Sequence, residues 1–536
     1  MKTISNFQFP ISKTGLLIII LIIASFLRLY NINLIPPGLY PDEAMNGNNA
    51  LEALSTGNFS ALGGPASGWK VFYPENNGRE GLFMNIQAIF LKFLMPLSGG
   101  NPEPWMLRLP SALFGILTVL GLYFLARELF NKKVALLSSF FLAVSFWHIN
   151  FSRIGFRAIM SPLFAVLAIY FLLVALRSRK YILNSLLGGI FLGLGFYSYI
   201  AFRALPLLAV IIWLIYWINN KDSAFRKKIL LSTCYFLLAT FIITAPLGIH
   251  FLKNPADFFG RTTQVSIFSA SGGSSLLILK NLGLNIIKTA GMFNFSGDWN
   301  WRHNYAGRPE LFWPVGILFI IGVVLSLIKI FKNKNIKTSD VQNIDADVRT
   351  SDVQKLKFPF IVLFSWLIIA ALPVVVSNEG IPHALRVIIM IPPVFILAGF
   401  GGIWLYEKLL TKILNNTKVR KIIILSALYF LLSTLIFEAY YTYFILWGKN
   451  NNTFDAFSGD YVIMAKGLNE LPKELPKYVV VEAQGIDVRG IPMPAQTLMF
   501  ITDTFTPEKQ KEKNIFYLLP EQINQIPAGS YVTTLK

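Results

Sequence analysis

The amino-acid sequence predicts an all-α, multi-pass membrane protein with a small α/β domain at its C-terminal end. Three observations predict it. Of the 536 residues, 54% are hydrophobic and only 14% are charged, whereas an ordinary soluble domain is roughly 25% charged. The mean hydropathy is +0.55, and 46 residues are Phe, which excludes low-complexity disorder because nothing this apolar stays solvated. Apolar stretches long enough to cross about 30 Å of hydrocarbon recur along most of the chain, and a polar tail with strand-like runs follows them.

The spans fall near 14–30, 109–127, 134–150, 159–177, 183–200, 203–219, 229–250, 311–331, 358–377, 384–406 and 421–446. A shorter stretch, 81–97, is interrupted by Asn85, Gln87 and Lys92. Whether it crosses fixes the orientation of everything downstream. If it does not, and Met1 starts in the cytoplasm, the inner segments carry 24 Lys and Arg against seven Asp and Glu. Their net charge is then +17 of the chain's +20, as the positive-inside rule requires. If it does cross, every basic loop after the first faces outward. The sequence therefore predicts eleven crossings, an interfacial or re-entrant helix at 81–97, and a C-terminus outside. The same placement removes a nucleic-acid reading of the charge, since the basic residues orient the chain rather than line one face.

Met1–Lys13 and the run after it resemble a signal peptide, but no clear small-residue cleavage site follows and Arg28–Tyr30 ends the run. An uncleaved first helix is expected. The lone Cys234 excludes an intrachain disulfide or a cysteine metal cluster, and reads as a small packed side chain in an apolar run. The inner segment 332–357 contains TSDVQ twice, at 338–342 and 350–354, and reads as a duplicated linker without chemistry. Walker A, GxGxxG, HExxH and GxSxG patterns are absent from the sequence, so nucleotide hydrolysis and zinc proteolysis have no support. Residues 1–446 thus form the membrane domain. The tail 447–536, with the runs YVVVEA, TLMFIT and SYVTTL, forms a small outer α/β domain.

The outer loops hold the candidate chemistry. The first, 31–108, opens with LIPPGLYPDEAMNG. Its prolines force an irregular exit from the membrane, and Pro41 restricts the chain just before Asp42 and Glu43. Asp42 suits a helix N-cap with Glu43 as a solvated neighbour. Paired carboxylates at a membrane surface also suit a general base. Later in the loop, Arg79 and Glu80 stand before 81–97, as an interface anchor or as a second cation and carboxylate at the level of Asp42. In the short loop FSRIGFRA, Arg153 and Arg157 are four apart at a helix end and break the positive-inside trend. They read as snorkelling anchors or as a phosphate site, because guanidinium forks match phosphate oxygens.

The loop 251–310 ends in GDWNWRHNYAGRPE. Trp299 and Trp301 suit an aromatic belt, and with His303 and Asn304 they also suit a sugar. The loop SNEGIPHA supplies Glu379 and His383, with Arg386 just beyond. Four His, none paired at i, i+4, give no metal-site signal.

Taken together, the chain resembles the polyprenyl-phosphate-dependent glycosyltransferases of the GT-C fold, most closely glycosyltransferase family 39, the protein O-mannosyltransferase and aminoarabinose transferase type. The resemblance covers about 1–446. It rests on PDEA after the first span, on GREGLF, on basic residues in the second outer loop, on the aromatic loop, and on HALR before a late helix. It implies transfer of one sugar from a polyprenyl-phosphate carrier to an extracytoplasmic acceptor on protein, lipid or glycan. Asp42 then matches the catalytic base and Glu43 its motif neighbour. Glu80 matches the later acidic position of the loop. Arg153, Arg157 and Arg386 become candidates for the carrier phosphate, and Arg79, His303, Asn304 and His383 further substrate contacts. A divalent cation is compatible with the family. The second outer loop nevertheless has Arg157-Ala158 where many relatives carry an acid, which weakens that expectation. Membrane lipids are the other partners. The competing class is a lipid flippase or secondary transporter, which would show internal repeats and mid-membrane charges.

Overall fold

Helices form where the apolar runs lie. The computed structural model describes residues 13–55, 69–264, 266–270, 275–331, 346–413 and 418–536. In chain order these form α1 (Lys13–Leu29), α2 (Pro41–Ser55), α3 (Leu82–Leu94), α4 (Pro104–Leu129), α5 (Lys132–Ala143) and α6 (Phe146–Phe151). Then follow α7 (Met160–Arg177), α8 (Tyr181–Gly195), α9 (Pro206–Asn219), α10 (Ser223–Lys253), α11 (Pro255–Gln264), α12 (Ile267–Ala270) and α13 (Ser275–Gly291). The bundle ends with α14 (Trp313–Phe331), α15 (Ala346–Val375), α16 (Ile391–Ile413) and α17 (Lys418–Tyr440), the last continued by a π-helical stretch, Tyr441–Trp447.

Among the described residues, eight helical stretches are long and apolar enough to cross a membrane. Of the other three expected spans, α1 and α8 are shorter apolar helices, and the one at 134–150 is divided into α5 and α6. Ser145 caps α6 through its side chain, so the α-helical ladder breaks there and the last carbonyls of α5 lose their regular i+4 partners. Arg28 answers them. Its fully buried guanidinium donates to the carbonyls of Ala143 at 3.0 Å and Leu142 at 3.2 Å, and lies 2.7 Å from His148 Nδ1. The charge that ends the first apolar run is thus a clamp inside the bundle. Close helix packing needs small residues. On α8, a Cβ at Gly189 would stand 2.2 Å from the carbonyl oxygen of Phe236 on α10.

The 81–97 stretch forms α3 and a 3-10 turn, Met95–Ser98. One face, with Phe83, Met84, Ala88 and Leu91, is buried, and Ile89, Phe93 and Leu97 are exposed on the other. This is the two-sided pattern of a helix lying at an interface.

Two expectations are corrected. Cys234 is exposed, not packed, because the outer face of a helix in lipid is as apolar as its inner face. TLMFIT, expected as a strand, lies in helix α20 (Gln496–Thr502), all seven residues of which are buried. A short apolar run buried on every side has no period to distinguish strand from helix. Of the duplicated TSDVQ, the copy at 338–342 lies outside the described residues and the second lies within α15.

In the tail, α18 (Asn451–Ala456), α19 (Gly459–Glu470), α20 and α21 (Pro507–Lys513) accompany a three-stranded parallel sheet. With β1 (Phe72–Tyr73) and β2 (Arg79–Glu80) in the first outer loop, the tail strands are β3 (Lys477–Val481), β4 (Asp487–Val488), β5 (Ile491–Pro492), β6 (Ile515–Leu518) and β7 (Tyr531–Leu535). The sheet order is β6-β3-β7, with Tyr478 level with both Phe516 and Val532. The tail shares its core with the first outer loop: Met45, Ala50 and Leu107 pack in one cluster with Leu498, Phe500 and Val479. A second, larger cluster fills the bundle around Trp147, Trp366 and Trp447.

Candidate active site

Pro41 opens α2, a position where its missing N–H costs nothing,. Asp42 therefore sits in the first turn, where the helix dipole favours a negative charge,. The strands β1 and β2 pair antiparallel with Phe72 level with Glu80. The turn between them carries Asn76, Asn77 and Gly78, all at positive φ, the conformation such residues tolerate. This turn delivers Asn76 Nδ2 to Asp42 Oδ1 at 2.8 Å. It also lays Arg79 across α2, donating to Asn46 Oδ1 at 2.5 Å and Asn49 Oδ1 at 2.6 Å. Burial, then the neighbouring Arg157, bring the Arg79 guanidinium down to about 10. It stays cationic at neutral pH.

Asp42, Asn46, Asn76, Arg79 and Arg157 line one cleft, closed by Phe156, Tyr199 and Leu385. Glu80 holds the cationic side: Arg157 Nε donates to its Oε2 at 2.9 Å, and Arg203 Nη2 lies 3.5 Å from its Oε1. Arg203 also lies 4.4 Å from the centre of the Phe258 ring. The cleft thus places a partly exposed carboxylate beside guanidiniums held by a second, buried carboxylate. At its edge, the Arg302 guanidinium lies 3.9 Å from the centre of the Tyr40 ring. Burial and the nearby Asp42 raise the Tyr40 hydroxyl.

Other expected site residues lie elsewhere. Glu43 is fully buried in an ion pair with Arg108 at 3.1 Å and accepts the Gly155 N–H at 2.6 Å. Its carboxylate binds α2 to α4 and to the second outer loop. Arg153, expected beside Arg157 on one helix face, points into the bundle. It donates to the carbonyls of Leu27 at 3.3 Å and Ile35 at 2.7 Å and lies over the Phe444 ring at 4.9 Å. The reason is that α6 ends at Phe151, so the two arginines sit on an irregular turn and diverge. Arg386 is held by Ser377 and by Glu379, and Asn304 Nδ2 ties down the carbonyls of Arg308 and Asp298. Both serve their own loops. Trp299 is exposed, as a belt residue should be.

Histidine spacing along the chain carries no metal-site signal, yet three potential ligands meet in space. Asp298, His303 and His383 converge, with their ligand atoms within 4.8 Å of one another. His303 and His383 are eighty residues apart, beyond the reach of any local spacing rule. Sequence reading also missed Asn76, Tyr199 and Arg203. Arg203 gave a signal, a basic residue at an outer helix end against the charge trend; the others are ordinary in composition.

Comparison with known proteins supports this architecture. The family model "Dolichyl-phosphate-mannose-protein mannosyltransferase" matches residues 86–249. ArnT from Cupriavidus metallidurans bound to undecaprenyl phosphate is similar at a TM-score of 0.52 and 14% identity, over 98% of this chain and 93% of that one. The Archaeoglobus fulgidus oligosaccharyltransferase in its apo form is similar at a TM-score of 0.50 and 14% identity, over 96% of this chain. The chain spans 66% of that relative, just under two thirds of its length. No curated protein matches the sequence. These likenesses show the fold, the GT-C fold. Within that fold, residues 86–249 are similar to the dolichyl-phosphate-mannose-protein mannosyltransferase family.

Proposed function

We propose that the protein moves a single sugar from a polyprenyl-phosphate carrier to an acceptor hydroxyl on a protein, lipid or glycan, with inversion at the anomeric carbon. The observation that carries this reading is the cleft itself, where Asp42 and Arg157 face the same space. Asp42 is the base that takes the acceptor proton as the hydroxyl oxygen bonds to the anomeric carbon. The carbon–oxygen bond to the phosphate breaks, and the carrier phosphate leaves as a stable anion, so a general acid is not required. Arg157 and Arg203 supply fixed positive charge to that anion. Arg79 and Asn76 orient the cleft wall and Asp42. Attack opposite the phosphate gives inversion. Glu43 acts through position, holding α2 so that Asp42 faces the cleft.

A divalent cation in this cleft does not fit the residues present. Glu80 is committed to two guanidiniums, and Arg79 and Arg157 already bring positive charge to Asp42. In this reading the bundle sits in the cytoplasmic membrane with the cleft and the tail on the extracytoplasmic side, an orientation that the positive-inside rule supports.

The test is to incubate purified protein with a panel of polyprenyl-phosphate monosaccharides and follow loss of sugar. Wild type is expected to consume at least one donor. Asp42→Asn, which keeps the side-chain shape, is expected to consume none while remaining folded in the membrane. Wild-type turnover by Asp42→Asn sinks the mechanism.

A further inference from the structure

The loops before α14 and before α16 meet over one buried carboxylate. Asp298 Oδ2 lies 3.0 Å from His303 Nδ1 and 3.7 Å from His383 Nδ1, and accepts the backbone N–H of Ala384 at 2.9 Å. The two imidazoles face each other with ring centroids 4.8 Å apart and planes at 31°. Asp298 Oδ1 accepts the N–H of Asn300 at 2.8 Å, so the carboxylate is oriented from its other oxygen. His383 Nδ1 is shielded from solvent and, among the described residues, lacks a hydrogen-bond partner. A buried polar atom left unpaired costs free energy unless something occupies the space in front of it.

Burial raises the Asp298 carboxyl, but the hydrogen bond from His303 helps to outweigh it and hold the group below its usual range. Burial lowers both imidazoles, His383 well below the usual histidine value, with His303 the next cause there. A carboxylate and two imidazoles that converge are the groups that bind metal ions,. The proton between His303 Nδ1 and Asp298 Oδ2 is the one a cation replaces.

We propose that Asp298, His303 and His383 form a binding site for one divalent transition metal ion, distinct from the Asp42 cleft. Two imidazole nitrogens and one carboxylate oxygen suit zinc or cobalt rather than magnesium or calcium, which prefer all-oxygen shells. A tetrahedral zinc site places its ligand atoms ~3.4 Å apart, so the present cluster needs side-chain shifts of about an ångström. Three protein ligands leave a fourth position for water or an anionic oxygen. The metal joins the loop 298–305 to the loop 377–386, which the sequence separates by α14 and α15. Two nearby cations oppose it. Arg386 is paired with Glu379, and Arg302 is drawn onto the Tyr40 ring.

The experiment uses full-length protein in detergent, purified without a polyhistidine tag and stripped with chelator. Titration with cobalt(II) at neutral pH is expected to give one equivalent bound, with the visible absorption of a tetrahedral site, and zinc is expected to displace it. Magnesium should give no displacement. His383→Ala and Asp298→Asn should each weaken cobalt binding about tenfold or more, while Asp42→Asn binds as wild type does. Absence of a tetrahedral cobalt spectrum in wild type overturns the proposal whatever the variants do. So does equal binding by wild type and folded His383→Ala. Because the readout is metal binding, failure of the transferase reading leaves this result unaffected.

Discussion

At the residue scale, chemistry here depends on which way each charge is turned. Arg153 and Arg157 share a loop, yet one is spent on backbone carbonyls inside the bundle and the other borders the cleft. Replacing them should separate the two roles. Arg157→Ala is expected to raise the apparent KM for the lipid-linked donor about tenfold or more, the scale of one lost charge-assisted contact, while Arg203 stays beside Glu80. Arg153→Ala is expected to lower thermal stability in detergent and leave donor affinity in the surviving protein near wild type. Glu43 and Arg108 form a pair with both side chains fully buried. Removing one partner leaves an uncompensated buried charge, so Arg108→Ala should cost about 3–5 kcal/mol, measured by thermal unfolding. The Asp-Glu pair was legible in the sequence, but the division of labour within it was not. Adjacent residues on a helix point about 100° apart, and only the packing partner decides which one is buried.

Elements act here by carrying loops to one another. The exit from α1 turns at Gly38, whose φ is +83° and whose added Cβ would stand 2.4 Å from the carbonyl oxygen of Phe457. The tail therefore runs directly over the start of the loop that bears Asp42. Thr497 Oγ1 donates to the Leu39 carbonyl at 2.9 Å, and Arg489 pairs with both Glu52 and Glu75. Gly38→Ala is expected to strain this crossing at a cost of about 1–3 kcal/mol and to speed hydrogen exchange across 451–502. Exchange unchanged from wild type would show that the tail docks without this close approach. The broken helix α5–α6 is the other element without a warning in the sequence. Residues 134–150 read as one apolar run, and the break was set by the Ser145 cap together with carbonyl partners supplied by Arg28 from another helix.

For the whole molecule, the apolar runs and the distribution of Lys and Arg carry the membrane reading. Cytoplasmic placement of 332–357 is expected to leave single cysteines there, in a Cys234→Ser background, unlabelled by an impermeant maleimide until the membrane is opened. Lys466→Cys in the tail should label in intact cells. The reverse pattern would show that 81–97 crosses and that the bundle is inverted. The transporter alternative would need a pathway through the bundle, whereas the cleft is assembled from the loop and helix end that bear Asp42 and Arg157.

By itself the sequence determined the membrane class, the order of the spans, the expected sidedness and the loop that bears Asp42. Each of these follows from local quantities: hydropathy over one span, charge at its ends, and Pro-Asp spacing at a helix start. Tertiary structure alone decided that Glu80 joins Arg157 and Arg203, that Arg153 leaves the site, that the tail shares a core with the first outer loop, and that His303 meets His383 over Asp298. These are meetings of residues tens to hundreds of positions apart. Period and composition describe only what neighbours along the chain do, and the pairing of distant charges is fixed by how the helices pack.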